Sequence, residues 1–186
     1  MGRVSQAQAE ENRRRVVDTA SRLFREQGTQ VSVADLMKAA GLTHGAFYKQ
    51  FASKEALVDE ATAHAFAELT QRYNAGLKRH DGQRDAAQQA LIDTYLSVEH
   101  RDDPADGCPV AALATDIARE GGGREARRVY TEGAADFADF LATDDQDGIA
   151  RLCTLFGALV LSRATKGSPL SEEILAAAHA ALTETG

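Results

Sequence analysis

Tryptophan is absent from this chain of 186 residues, proline occurs 3 times and cysteine only twice. So few prolines leave long stretches free of the residue that breaks helices. Cys108 and Cys153 cannot build a disulfide framework, and no C-x-x-C or His–Cys cluster offers a zinc site. The longest apolar run, L-F-G-A-L-V-L over 155–161, is far below the ~18 residues that a membrane-spanning helix needs. The N-terminus, M-G-R-V-S-Q-A-Q-A-E, is too polar for a signal peptide or anchor. Gly2 lacks the Ser or Thr at position 6 that myristoylation requires, since Gln6 stands there. These absences predict a cytoplasmic chain with no membrane partner, no metal and no cofactor.

What is abundant is Ala, Leu, Arg, Glu and Gln, with β-branched runs rare, a composition that favours an all-α fold. The net charge of −7 argues at first against nucleic acid. Its distribution reverses that argument. Residues 1–54 carry 9 Lys/Arg against 5 Asp/Glu, and residues 55–186 carry 12 against 23. A basic N-terminal quarter on an acidic body is the pattern of a chain that meets a polyanion at one end.

Apolar spacing and capping residues predict about nine helices. The first runs from about Gln8 to Gln27, with Val16, Ala20, Leu23 and Phe24 on one stripe, and ends at Gly28. Arg13, Arg14, Arg15, Arg22 and Arg25 occupy its other faces, read as a solvated surface from which some could reach phosphates. Ser32 opens the second helix in a capping-box spacing with Asp35, and Gly41 stops it. Thr43 caps a third, short helix ending near Phe51, and Ser53 caps a fourth that runs to about Leu77. Further helices are expected over 84–99, from Pro109 to the G-G-G at 121–123, over Arg124–Leu141, from about 149 to Lys166, and over Ser171–Thr183.

The stretch G-L-T-H-G-A-F-Y-K-Q-F-A-S-K-E-A-L beginning at Gly41 is the informative one. Phe47 and Phe51, four apart, share a face suited to a core. A short helix packed on one side, basic and aromatic on the other, and tied by a tight turn to a preceding helix has the geometry of a helix-turn-helix. Gly45 leaves room for close approach to DNA, and Tyr48, Lys49 and Lys54 are placed to meet phosphates.

Residues of about 10–58 resemble the DNA-binding region of the TetR family of transcriptional regulators. Phe24, Ala40-Gly41, Thr43, Gly45, Phe47-Tyr48, Phe51, Ser53, Lys54, Glu55 and Leu57 supply its pattern. Gln50 departs from the His or Tyr usual before the last Phe. The resemblance implies that Thr43, His44, Gly45, Tyr48, Lys49 and Lys54 face DNA, and that Ser32 offers its hydroxyl and N–H to a phosphate. It implies a helix-turn-helix domain over 1–53 and a helical ligand-binding and dimerisation domain over 54–186. It further implies a homodimer, usually a repressor, that binds a palindromic operator in double-stranded DNA and is released by a small-molecule effector.

The body offers two independent hints. In the helix near 149–165, Ile149, Leu152, Cys153, Phe156 and Val160 form one stripe, and Leu155 and Leu159 a second. A helix apolar on two sides is covered on two sides, either by its own core and a partner subunit or by its own chain on both. Ile174, Ala177, Ala178, Ala181 and Leu182 of the last helix add small residues suited to close approach. Tyr95, Phe137, Phe140 and Phe156 are candidate walls of an effector pocket. Cys108, at a helix start, is read either as a pocket-wall residue or as a reactive sensor, its thiolate favoured by the dipole. Cys153 reads as a small core residue. No catalytic set is legible: a di-iron bundle needs Glu-x-x-His pairs, and Glu60 and His64 are four apart. The chain is therefore expected not to be an enzyme.

Overall fold

A computed structural model describes residues 6–119 and 123–183, and these are helical with no strand among them. Gly2, Gly121 and Gly122, singled out above, lie outside the described residues, as do the outer ends of both expected domains. The helices are α1 (Gln6–Gln27), α2 (Val33–Ala39), α3 (His44–Phe47), α4 (Lys54–Arg79) and α5 (Arg84–Tyr95). They continue with α6 (Val98–Asp102), α7 (Pro109–Ala118), α8 (Arg124–Leu141), α9 (Gly148–Ala164) and α10 (Pro169–Thr183).

That is ten helices among the described residues, against the nine expected. The additional one arises where a single helix was read over 84–99. The backbone leaves α5 at Leu96, and Ser97 takes an extended conformation and accepts a hydrogen bond from the N–H of His100, which starts α6. The third helix is also shorter than expected. It closes at Phe47, although the N–H of Phe51 still reaches the Phe47 carbonyl at 3.0 Å.

Two cores hold the chain. The N-terminal core gathers Val16, Ala20 and Phe24 of α1, Leu36 and Met37 of α2, Phe47 and Phe51, and Leu57, Val58 and Ala61 of α4. Leu113 and Ile117 of α7 complete it, so α4 and α7 join the N-terminal unit to the body. The body core is built from α4, α5 and α8–α10, with Phe137, Leu141, Leu155 and Leu159 fully enclosed. Tyr130 packs against both cores. Full burial of such a side chain contributes roughly 1.5–3 kcal/mol each.

Within α9 the two apolar stripes divide differently from the reading above. Leu152, grouped there with Ile149 and Cys153, turns inward with Leu155 and Leu159. Ile149 is 65% exposed and Val160 40%, with Leu161 exposed beside them. Cys153 is exposed, not a core residue within the chain, because it belongs to the outward stripe with Ile149 and Val160. On α10, Ala177 and Ala181 are exposed while Leu175, Ala178 and Leu182 face the core.

Candidate nucleic-acid interface and ligand cavity

The helix-turn-helix is built by local rules. Ser32 accepts the N–H of Asp35 at 3.1 Å and donates its hydroxyl to the Asp35 carboxylate at 2.6 Å. At the other end of α2, Gly41 takes φ +69°, a left-handed conformation that glycine adopts without penalty. Its N–H bonds the Lys38 carbonyl at 3.0 Å, and the N–H of Leu42 bonds that of Met37 at 2.8 Å. This pair of bonds is a Schellman stop, and it aims α3 across α2.

α3 is held from behind by aromatics. The Phe47 and Phe51 rings stack at 5.4 Å, and Phe47 meets the Tyr48 ring edge-on at 5.2 Å. Arg13 lies over the Phe51 ring, 4.4 Å from its centroid, and donates to the Gln50 carbonyl and to Glu60. Of the arginines read as a solvated face, Arg13 is therefore turned inward to brace α3. Arg25 is buried outright.

With Phe47 anchored, the other side of α3 faces solvent. Thr43, His44, Gly45, Tyr48 and Lys49 are all exposed, and Tyr48, at 67%, is the most exposed large hydrophobic residue among the described residues. A Cβ on Gly45 would meet nothing within 4 Å, so the glycine leaves open space on that surface. The Thr43 hydroxyl makes no capping bond, unlike that of Ser32, whose donor is engaged by Asp35. Lys54 opens α4, where the helix dipole favours an anion over a cation. It is half-buried, and burial lowers its pKa, opposed by Asp116. A lysine at that place gains nothing from its own helix, which suits a contact with an outside anion.

The body contains a cavity of about 430 Å³ between α4 and α5. Leu69, Arg72, Tyr73, Gly76, Arg79 and His80 form one face of α4, and Ala87, Leu91, Thr94 and Tyr95 form the opposing wall. Phe137, His100 and Cys108 close it. Of the expected walls, Tyr95, Cys108 and Phe137 line the cavity. Phe140 stands one layer behind, stacked on Tyr73 at 4.8 Å, and Phe156 of α9 does not reach it. The residues missed by sequence reasoning, Arg72, Tyr73, Arg79 and His80, do share a helical face of α4, a pattern legible in hindsight from their 3- and 4-residue spacing.

Cys108 does cap α7, but it is 3% exposed. Burial pushes its thiol above the ordinary value of 9.0, outweighing the nearby Tyr95 hydroxyl and the backbone N–H groups of Ala111 and Val110. The dipole-favoured thiolate anticipated from sequence is overridden by desolvation. The Tyr95 hydroxyl faces the thiol without a hydrogen bond of good geometry, and its own pKa is raised well above the usual tyrosine range by burial.

Between cavity and N-terminal unit lies a polar clamp. Arg25 donates to Glu68 at 2.8 Å, to the Gly107 carbonyl at 3.2 Å and to the Ser21 carbonyl at 3.1 Å. Arg22 pairs with Asp106, and Arg72 of the cavity donates to the Asp106 carbonyl. Asp116 of α7 accepts the Thr29 N–H at 2.7 Å. Asp18, His64 and Glu68 also converge within 4.8 Å, but Glu68 is already the partner of Arg25.

Comparison with known proteins agrees with this architecture. The family model described as bacterial regulatory proteins of the tetR family matches residues 16–61. The HTH-type transcriptional regulator AcrR of Shigella flexneri is 41% identical over 61 residues, 32% of this chain. The match spans only 28% of that relative's length. Among solved structures, E. coli NemR in its reduced form superposes with a TM-score of 0.76 at 19% identity, covering 93% of this chain and 95% of NemR. A TetR-family regulator from Agrobacterium tumefaciens gives 0.76 at 17% identity, covering 95% and 100%. One from Chloroflexus aurantiacus gives 0.70 at 21%, covering 95% and 94%.

Proposed function

We propose, from the match of residues 16–61 to the tetR family model and from the shared fold, that the chain is a TetR-family, non-enzymatic, ligand-responsive transcriptional regulator in the cytoplasm. In this reading it is a repressor that binds a palindromic operator as a homodimer and is released by a small-molecule effector. The observation that carries the reading is the exposed surface of α3, where Thr43, His44, Gly45, Tyr48 and Lys49 face solvent around a buried Phe47. Thr43, His44 and Lys49 reach base edges. Tyr48 and Lys54 meet phosphates on either side, and the N-terminus of α2 at Ser32 meets another through backbone N–H groups.

The outward stripe of α9 (Ile149, Cys153, Val160) with Ala177 and Ala181 of α10 supports the dimer. It is an exposed apolar surface that no described residue covers. Two copies joined there present two recognition helices, which successive major grooves require about 34–36 Å apart. The acidic body cannot hold DNA by itself, so affinity depends on that spacing.

The cavity between α4 and α5 takes the effector, and the Arg22–Asp106, Arg25–Gly107 and Arg72–Asp106 contacts join its wall to α1. Such coupling is typically about 1–3 kcal/mol. Operator selection from a random duplex pool, followed by titration over a salt series, tests the DNA half. Recovery of a palindrome whose affinity falls steeply with salt is expected. Failure to retain any duplex at low salt would overturn it. For the effector half, linkage demands that a true inducer bind the free dimer more tightly than the operator-bound one, by the factor with which it weakens DNA binding.

A further inference from the structure

The charge of the effector cavity is opposite to that of the domain that contains it. Residues 55–186 carry 23 Asp/Glu against 12 Lys/Arg, yet among the described residues no carboxylate lines the cavity. Four basic-type side chains do: Arg72, Arg79, His80 and His100. Their commitments differ. Arg72 donates to the carbonyl of Asp106. His100 donates Nδ1–H to the Tyr95 carbonyl at 2.7 Å, and its pKa is lowered first by burial, against the raising effect of that carbonyl, and further by Arg163 and Arg72. Arg79 is exposed at the end of α4 and makes no ion pair or hydrogen bond among the described residues.

Between these groups the walls are apolar and aromatic. Leu69, Tyr73, Leu91, Tyr95 and Phe137 enclose the middle of the slot. Gly76 sits in the α4 wall, one turn before Arg79 and His80, and a Cβ there would meet nothing within 4 Å. A glycine inside a helix costs about 1 kcal/mol relative to alanine. Here its effect is to keep the slot open beside Arg79.

We propose that the cavity takes an amphipathic organic anion, a flat or aromatic body bearing a carboxylate, sulfonate or phosphate, and that Arg79 is the residue that binds the anionic group. This rests on the reading of the cavity as the effector site and adds the ligand's chemical class. The body lies against Tyr73, Leu91 and Phe137. The guanidinium, with five donors in a planar fork, matches an oxyanion in two hydrogen bonds. Arg72 adds to the positive field, and the absence of a lining carboxylate among the described residues removes the counter-charge that a cationic ligand would need.

Three probes of one shape separate the possibilities: 2-naphthoate, neutral 2-naphthylmethanol and cationic 2-naphthylmethylammonium. Each is titrated calorimetrically into the full-length protein without DNA. 2-Naphthoate should bind about tenfold more tightly than the alcohol, the worth of one charge-assisted pair in a half-open site. The ammonium should bind most weakly. Arg79→Gln should reduce naphthoate to the level of the alcohol and leave the alcohol unchanged, and Arg79→Lys should restore part of the preference. Gly76→Leu, which fills open space, should weaken all three and so place them in this cavity. Equal affinity for the three probes, tighter binding of the ammonium, naphthoate binding indifferent to Arg79→Gln, or probe binding indifferent to Gly76→Leu would each overturn the proposal. Operator release is measured separately: anion-selective binding without any effect on DNA would support the proposal while sinking the effector reading of the cavity.

Discussion

Arg25 of α1 lies 3.2 Å from the carbonyl oxygen of Gly107, the residue that precedes Cys108 in the cavity wall. The same guanidinium holds Glu68 of α4 and is almost fully buried. One side chain thus fixes three things at once: the end of α1, the middle of α4 and the loop that closes the cavity. Burial lowers its pKa, but an arginine remains charged at any working pH. Arg25→Met keeps the volume and removes every donor, leaving Glu68 without its cation. Discounted for the partial exposure of Glu68, the loss should be about 2 kcal/mol in urea unfolding. Backbone amides of 103 and 105–107 should exchange faster in the variant. An unchanged midpoint together with unchanged exchange would show that the clamp carries no load.

A second prediction separates the two kinds of DNA contact. Lys54→Ala should lower the slope of log affinity against log salt by about 1, and weaken all duplexes alike. Tyr48→Phe loses one hydroxyl contact, about 1 kcal/mol, again without regard to sequence. Substitution of Thr43 or His44 should instead change the preferred base at one position, with a discrimination of about 1–3 kcal/mol. Anisotropy titrations on a panel of single-base operator variants, repeated at several salt concentrations, distinguish these outcomes. A Lys54→Ala protein with the wild-type salt slope would remove that residue from the interface.

The helix-turn-helix was legible because its signals are local. Ser32, Gly41 and the Phe47–Phe51 pair each act within a few residues, and the structure places each where its spacing implied. The break at Ser97 was equally local but weaker, one cap inside an otherwise continuous pattern. What sequence could not show was the fate of arginine. Arg13, Arg22 and Arg25 look alike on a helical wheel, yet their partners are 37 to 84 residues away. Cys153 was misjudged for a related reason. An apolar stripe shows that a face is suited to burial but not whether its own chain buries it, and here Cys153 is left exposed. The charge of the cavity was hidden too, because Arg72 and Arg79 are outnumbered in sequence by the acids of the body.

The proposed dimer carries a third prediction. Val160 is 40% exposed and lies on the outward stripe of α9 with Ile149 and Cys153. A charge there costs an isolated chain little, because the position meets solvent. In a dimer it would be buried without a partner. Val160→Glu should therefore sediment as a monomer with unaltered helical content. Loss of the second recognition helix should reduce operator affinity by about 10²–10⁴-fold, the gain that linked sites supply. A Val160→Glu protein that remains dimeric would move the interface elsewhere.

Cys108 and Tyr95 give the last prediction, through pH. Both are buried acids whose neutral forms are favoured in the folded chain, and both pKa values are raised, first of all by burial. The unfolded chain releases these protons at their ordinary values, near 9.0 for the thiol and 10.0 for the phenol. Below pH 9 folded and unfolded states hold the same protons, and neither group makes stability depend on pH. Above it the unfolded state binds fewer protons, so stability falls as pH rises, until the folded pKa values are reached. Each group contributes at most about 1.4 kcal/mol per pH unit within its window. The urea midpoint should therefore be level from pH 7 to 8.5 and fall between pH 9 and 10. Cys108→Ala should be less stable at pH 7, by a small cavity term, but should lose less between pH 8.5 and 10 than the wild type. Iodoacetamide supplies an independent reading of the same proton. In a Cys153→Ser background, alkylation of Cys108 should be slow at pH 7 and still accelerating at pH 9.5, where an ordinary thiol has begun to level off. Rapid modification at pH 7 would show instead that the thiol is exposed and ionised often enough to serve as a sensor.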